Sequence, residues 1–283
     1  MRILICTDGT SVGQHTVSFG ALLARAAQAE VTLLGILAGA GTDASVREAL
    51  TSAQTLLPAR AEEKTRRGKG RIAQEILAEA ESGAYDLIVV GSHGRRGLQR
   101  LAFGSVAAQL ARFARIPVLI VKGQPRPAVR QVLACTSGDV RGERVARWGG
   151  QMARWLNAEI TVLHVMSQIA LSPRAKLDEL SGTAEEALAR GTHEGQHLAR
   201  EMELLRGQRG TNPLAVRPKI RHGLVLEEIM EEVDEGDYDL VVIGGHAAPE
   251  FPKNWDNLEF LLEDVADQVI SALRRPVLVI KGN

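Results

Sequence analysis

Much that would signal secretion, membrane insertion or nucleic-acid binding is missing from this 283-residue sequence. It has only two cysteines, Cys6 and Cys135, and each falls in a short apolar run that reads as a core strand. Two such residues make no disulfide framework; they suit a reducing cytosol, buried as small hydrophobes. Lysine plus arginine and aspartate plus glutamate number 34 each, so the formal net charge is zero. Neither nucleic acid nor an anionic membrane then has an electrostatic reason to bind. No apolar run approaches the roughly eighteen residues of a membrane span. Met1 runs straight into RILIC, which leaves no room for a signal peptide and makes a cytoplasmic location the expectation. There is no Walker lysine motif, no nucleophile elbow and no obvious pairing of a general base with an attacking water. Binding is therefore better supported than turnover.

What the sequence does have is itself, twice. RILICTDGT near the start matches QVLACTSGD from Gln131, at an offset of 129 residues, and the same offset carries VTLLGIL from Val31 onto ITVLHVM from Ile160. YDLIVVGSHG from Tyr85 returns as YDLVVIGGHA from Tyr238, offset by 153, and RIPVLIVKG from Arg115 returns as RRPVLVIKG from Arg274, offset by 159. Four matches in one order indicate a duplication, with insertions of 24 and 6 residues in the second repeat. GQPRPAVR, with Pro125 and Pro127, is the natural linker between domains at 1–124 and 130–283. The chain is 45% apolar, enough for two cores of ordinary size.

Within each repeat, apolar runs rich in Ile and Val alternate with helical stretches, the pattern of a parallel sheet covered on both faces. Strand 1 is expected at Arg2–Thr7, a helix over Ser11–Ala29, strand 2 at Val31–Leu37 and a longer helix interrupted by Pro58. In the second repeat, Val145, Trp148, Met152 and Trp155 recur at helical spacing as an inner face. Strand 3 should lie near Lys64–Gly70, where KTRRGKG suits only an edge, since charge there discourages edge-to-edge pairing. Helix 3 (Arg71–Glu81), strand 4 (Asp86–Gly91), helix 4 from Val106 and strand 5 (Pro117–Lys122) complete the unit.

Strand 4 leads into the stretch with the clearest chemistry, YDLIVVGSHGRRGLQRLAFGS. Glycine stands at 91 and 94, then at 104 just before Ser105, where the helical run VAAQLARFA begins. Free N–H groups in a first helical turn point outward, and glycine lets a phosphate come close to them. Arg95, Arg96 and Arg100 add positive charge to the same loop. Glycines after a parallel strand are often plain turn residues, but the spacing Gly-x2-Gly-x9-Gly-Ser after DLIVVG closely resembles the nucleotide motif of the universal stress protein family. Gly91, Gly94, Gly104 and Ser105 match it with no departure.

The resemblance covers the whole chain as two tandem domains. It implies an α/β fold, each domain a doubly wound, five-stranded parallel sheet of order 3-2-1-4-5 with helices on both faces. The winding reverses between strands 1 and 4, where ligands of such sheets bind beyond the carboxyl ends. In family members that bind ATP, an aspartate after strand 1 and a residue ending strand 2 hold the adenosine end; Asp8 matches the first. Ile36 matches the second, which acts through its backbone. Gly94, Gly104 and Ser105, with Gly91 and Arg95 in the same loop, would hold phosphates. A divalent cation, Mg, would be shared among the phosphate oxygens, with no metal ligand from protein side chains. Taken alone, Asp8 in TDGT would be a turn residue. Family members pair through strand 5, so IPVLIVKG and RPVLVIKG would pack the repeats as an internal pseudo-dimer; a homodimer is a further expectation.

Repeat 2 has lost these parts. Ser137 stands where Asp8 would, and the loop after Gly244 has no glycine–serine pair. It carries Glu250, Asp256, Glu259, Glu263, Asp264 and Asp267 against one lysine, which would repel a triphosphate. Its expected role is structural or regulatory.

Three other patterns compete for attention. HEGQH at His193–His197 matches the two-histidine pattern of zinc proteases, but Leu188, Gly195, Leu198, Met202 and Leu205 mark the buried face of this helix. Both histidines then project from roughly the opposite side, into solvent singly. GAGTDA at 39–44 fits a loose dinucleotide fingerprint, but it follows the second strand of its unit and no ribose-binding acid follows; Asp43 or Ser45 capping the next helix explains it. His93 and His246 sit just past strand 4 in both repeats and read as structural. The reading is a cytoplasmic stress-response sensor or regulator that binds ATP or a related adenine nucleotide in repeat 1. A nucleotide-free scaffold and a slow nucleotide hydrolase are the alternatives.

Overall fold

RILICT is so apolar that a strand built from it must be covered on both faces. Arg2–Thr7 forms β1, buried from Ile3 onward, with β2 (Glu30–Leu37) along one side and β4 (Leu87–Ser92) along the other, all parallel. The computed structural model describes residues 1–37, 40–57, 61–68, 71–92, 106–167, 182–207, 214–245 and 265–281. Contacts divide the chain into one unit of Met1–Pro127 with Gly245–Lys281 and another of Ala128–Gly244.

The first unit orders its strands β3-β2-β1-β4-β5-β10, with β3 at Glu62–Arg67, β5 at Val118–Lys122 and β10 at Val277–Lys281. Strands β1 to β5 keep the 3-2-1-4-5 order, and β10 joins β5 antiparallel, Val277 opposite Ile120 and Val279 opposite Val118. The second unit holds β9-β6-β7-β8, all parallel, with β6 at Gln131–Thr136, β7 at Glu159–Ser167, β8 at Val216–Gly223 and β9 at Leu240–Gly245. These are the first four members of the same order; the fifth strand of that repeat, β10, is grouped by its contacts with the first unit.

The helices are α1 (Ser11–Ala26), α2 (Ala40–Ala53), α3 (Ile72–Ser82), α4 (Val106–Phe113), α5 (Val140–Leu156), α6 (Ala184–Arg190), α7 (His193–Gly207), α8 (Val225–Glu235) and α9 (Val265–Ala272). None of the described helices is long and apolar enough to cross a membrane.

The charged strand β3 has a reason beyond edge protection. Glu79 on α3 is 4% exposed and accepts from Lys64 Nζ at 3.1 Å, Arg66 Nε at 2.8 Å and Tyr85 Oη at 3.0 Å. Burial opposes the Glu79 charge, but the hydrogen bonds from Lys64, Tyr85 and Arg66 outweigh it and hold its pKa below the usual carboxylate range. The arrangement recurs in the second unit: Glu232 on α8 accepts from Arg221 Nε at 2.7 Å and Tyr238 Oη at 2.6 Å and pairs with Lys219. A charged strand thus belongs to each unit because a buried carboxylate from the following helix needs it.

The β5–β10 pair carries a matched detail. Lys122, at the end of β5, donates to Leu273 O just past α9 at 2.9 Å. Its repeat counterpart Lys281, at the end of β10, donates to Ala111 O and, at 3.2 Å, to Arg112 O in α4. Each lysine thus meets the carboxyl-terminal, partly negative end of the helix that precedes the opposite strand. Arg112 of α4 also pairs with Asp267 of α9.

Three local expectations change. Leu188 is not part of α7: Gly191, at φ +62, takes the left-handed cap and ends α6 first. The inner face of α5 is Val145, Gly149 and Met152, while Trp148 and Trp155 are only half-buried; small residues let the helix lie close, so the rings are pushed to its flanks. Helix α2 begins at Ala40, ahead of Asp43 and Ser45, so Asp43 stands within its first turn and not before it.

Candidate functional site

Strand register brings three of the expected site residues to one place. The last β1–β2 pair is Thr7–Gly35, so Asp8 and Ile36 are the next residues along neighbouring strands. On the other side Ile5 pairs with Val89, which sets Gly91 level with Thr7. Asp8, Ile36 and Gly91 therefore lie side by side at the carboxyl ends of β1, β2 and β4, across about 10 Å at ordinary strand spacing. From β1 the chain winds to β2 on one side and reaches β4 on the other, so this is where the winding reverses.

The three residues contribute differently. Asp8 is exposed, and its Oδ1 accepts from Thr10 N at 3.0 Å and Thr10 Oγ1 at 2.7 Å. Thr10 in turn caps α1, accepting from Gly13 N at 3.2 Å. The turn role of Asp8 is therefore realised, and it fixes the carboxylate at the mouth of the crevice. Ile36 buries its side chain, at 7% exposure, so only its backbone could serve a ligand. At Gly91 a Cβ would lie 2.5 Å from Thr16 Oγ1 and 2.9 Å from Val12 Cγ1; close packing of α1 on β4 explains this glycine without a ligand. Gly94, Arg95, Gly104 and Ser105 lie outside the described residues, as do Arg96, Arg100, His93 and His246. The helix that Gly104 and Ser105 precede does form, starting at Val106.

At the corresponding corner of the second unit the acid has moved. Ser137 Oγ donates to Asp139 Oδ1 at 2.6 Å, and Asp139 caps α5, accepting from Arg141 N and Gly142 N, each at 3.0 Å. Burial works against this charge, but the bonds from Ser137, Gly142 and Arg141 prevail and bring its pKa down to about 2. Where repeat 1 offers a carboxylate at the crevice mouth, repeat 2 turns it back onto a helix.

The family model of universal stress proteins matches residues 1–122 and again 128–281. The chain belongs to the universal stress protein family. Its two matches make it a tandem member. Universal stress protein MJ0531 of Methanocaldococcus jannaschii is 46% identical over 54 residues, which is 19% of this chain and 32% of that protein; the match spans about a third of that relative's length. Two solved structures resemble it almost end to end. One is a universal stress protein of Archaeoglobus fulgidus, 18% identical, TM-score 0.64, covering 99% of this chain and 98% of that one. The other is PA1789 of Pseudomonas aeruginosa, also 18% identical, TM-score 0.69, covering 99% and 92%. At that identity the likeness concerns the fold.

In this tandem universal stress protein, sequence reasoning missed a polar cluster at the crevice of the second repeat. His193, His197 and Glu201 recur every four residues on one face of α7, a pattern readable from the sequence once α7 is separated from α6. Glu201 is 2% exposed; its Oε2 accepts from Thr136 Oγ1 at 3.0 Å, and its Oε1 has no hydrogen-bond partner among the described residues. His164, from β7, is likewise left with an unpartnered buried Nδ1. Burial, assisted by the charges of Glu143 and Asp139 and opposed by the Thr136 hydrogen bond, raises the Glu201 pKa to about 7.

A folded-state pKa above the unfolded one means a contribution fully present below about pH 4.5 and lost as pH rises through about 7. Glu201→Gln, which cannot ionise, is therefore expected to be more stable than the parent above pH 7, by on the order of 1–3 kcal/mol. The difference should shrink towards pH 5. Denaturant unfolding of both proteins across this range checks it; a parallel pH dependence would show that Glu201 does not titrate there.

Proposed function

We propose that the first repeat binds an adenine nucleotide, with ATP and Mg the best-supported pair, and that the protein acts as a nucleotide-responsive stress regulator in the cytoplasm. The supporting observation is the convergence of Asp8, Ile36 and Gly91 on three adjacent strand ends at the point where the winding reverses. The base and ribose would lie across these ends, with Asp8 accepting from ribose hydroxyls and the Ile36 backbone facing the base. Phosphates would extend to Gly94, Gly104 and Ser105 at the entrance to α4, where the motif supplies free N–H donors and Arg95 supplies charge. Mg would sit on the phosphate oxygens, supplying charge neutralisation, without a protein carboxylate of its own.

The second repeat is expected to bind none. Ser137 has no charge to offer, and Asp139 is committed to the α5 cap. Calorimetric titration with ATP and Mg should give one site per chain. Asp8→Asn, which keeps an acceptor for Thr10, should weaken it by about tenfold or more, since a hydrogen bond to a charged group contributes roughly 1.5–3 kcal/mol. Two equivalent sites, or no binding by a protein stripped of co-purifying nucleotide, would overturn the reading. Phosphate release no faster than a protein-free blank is expected alongside it.

A further inference from the structure

His193 and His197 were expected to meet solvent singly, and they do not. Their rings stand edge to face with centroids 4.4 Å apart, and the two Nε2 atoms are 3.3 Å apart. A direct N–H···N bond would sit at or beyond the long end of the usual range, about 2.7–3.2 Å for bonds from nitrogen. Two bonds of about 2.0–2.1 Å meeting at a tetrahedral angle, by contrast, span about 3.3–3.4 Å. The pair is already set at the bite of a tetrahedral metal ion.

The surroundings suit such an ion. The side chain of His193 is 80% exposed, so an ion can arrive from solvent and keep water in its remaining positions. Glu194 places Oε1 at 3.8 Å from Nδ1 of His193, on the ring nitrogen away from the pair, which is where ligand imidazoles commonly have a carboxylate. Gly138, at φ +70, lies beneath: a Cβ there would sit 3.0 Å from His164 Cε1 and 3.5 Å from His197 Cγ and Cδ2, so the bare turn leaves room for His197 beside a third imidazole. Among the described residues no group of three or more His, Cys, Asp or Glu is arranged to hold a metal, so the site is a two-histidine chelate.

We propose that His193 and His197 of the second repeat bind one borderline divalent transition-metal ion, of the class of zinc, nickel or copper, in an open site. Hard cations such as magnesium and calcium, which take oxygen ligands, are excluded by the donor set. The site is independent of the nucleotide reading, because it uses neither Asp8 nor the glycine loop.

The test uses the full chain, freed of any histidine tag and stripped with a chelator, titrated with zinc against a chromogenic competitor. One zinc per chain is expected at neutral pH, with uptake falling as pH drops below the histidine range. His193→Ala and His197→Ala should each weaken binding by at least about 100-fold, since even removing an outer partner of a ligand typically costs about 10–100-fold. His193 is exposed enough that its variant should keep the parent's unfolding transition; if His197→Ala fails to fold, His193→Ala alone decides. Absence of zinc uptake by the parent, or unchanged affinity in His193→Ala, would overturn the site.

Discussion

Gly104→Val is expected to abolish measurable ATP binding while leaving the fold intact. The proposed phosphate site depends on backbone N–H donors at the entrance to α4, and valine would hold an anion away from them. Losing two charge-assisted hydrogen bonds, at roughly 1.5–3 kcal/mol each, corresponds to about 100-fold or more in affinity. Gly91→Ala is the instructive contrast. Its added Cβ would meet Thr16 Oγ1 at 2.5 Å and Val12 Cγ1 at 2.9 Å, so its main effect should be lost stability. Calorimetric titration and thermal unfolding of both variants separate a glycine kept bare for a ligand from one kept bare for a helix. A folded Gly104→Val protein with unchanged ATP affinity would sink the nucleotide assignment.

The largest effect on stability is expected from the strand that looked least like one. Lys64→Met with Arg66→Met removes both cations from Glu79, which is buried on α3 and would retain only Tyr85. Stripping the partners from a buried charge typically costs about 3–5 kcal/mol. Glu79→Leu should cost less, because Lys64 and Arg66 keep 33% and 31% exposure and can turn to water. The pH dependence should also change sign. In the parent the depressed Glu79 pKa contributes stability above about pH 4.5 that is lost as pH falls through the folded value. In the double variant only the Tyr85 hydrogen bond still opposes burial, the pKa rises, and the protein should instead lose stability as pH rises. Denaturant unfolding at about pH 3, about pH 5 and about pH 8 reads both effects; a double variant as stable as the parent would show the network to be decorative.

The fold was largely legible in the sequence because its core strands are apolar runs that need burial on both faces. RILICT, DLIVVG and PVLIV announce themselves, and the repeat offsets place their partners. β3 was placed within a few residues, but its purpose was hidden, since Glu79 and Lys64 are 15 positions apart and meet only through the α3–β3 packing. The break between α6 and α7 turned on Gly191 taking a positive φ, which periodicity cannot see across a single residue. The candidate nucleotide site was legible as a motif, and register set Asp8, Ile36 and Gly91 on adjacent strand ends. The polar cluster of the second repeat was half legible. The four-residue spacing of His193, His197 and Glu201 is plain in the sequence, but its meeting with His164 needs β7 and the bare turn at Gly138.

The antiparallel join of β5 and β10 has a consequence for how the two copies could evolve. Two separate chains meeting through such strands would part on dilution, and each substitution would appear on both sides of the axis at once. Here the strand and its partner share one polypeptide, so their meeting is governed by a fixed effective concentration and does not weaken as the protein becomes scarce. A change in one copy is also carried once. The aspartate at position 8 can persist while its counterpart becomes serine, and an imidazole pair can arise on one helix without being duplicated on another.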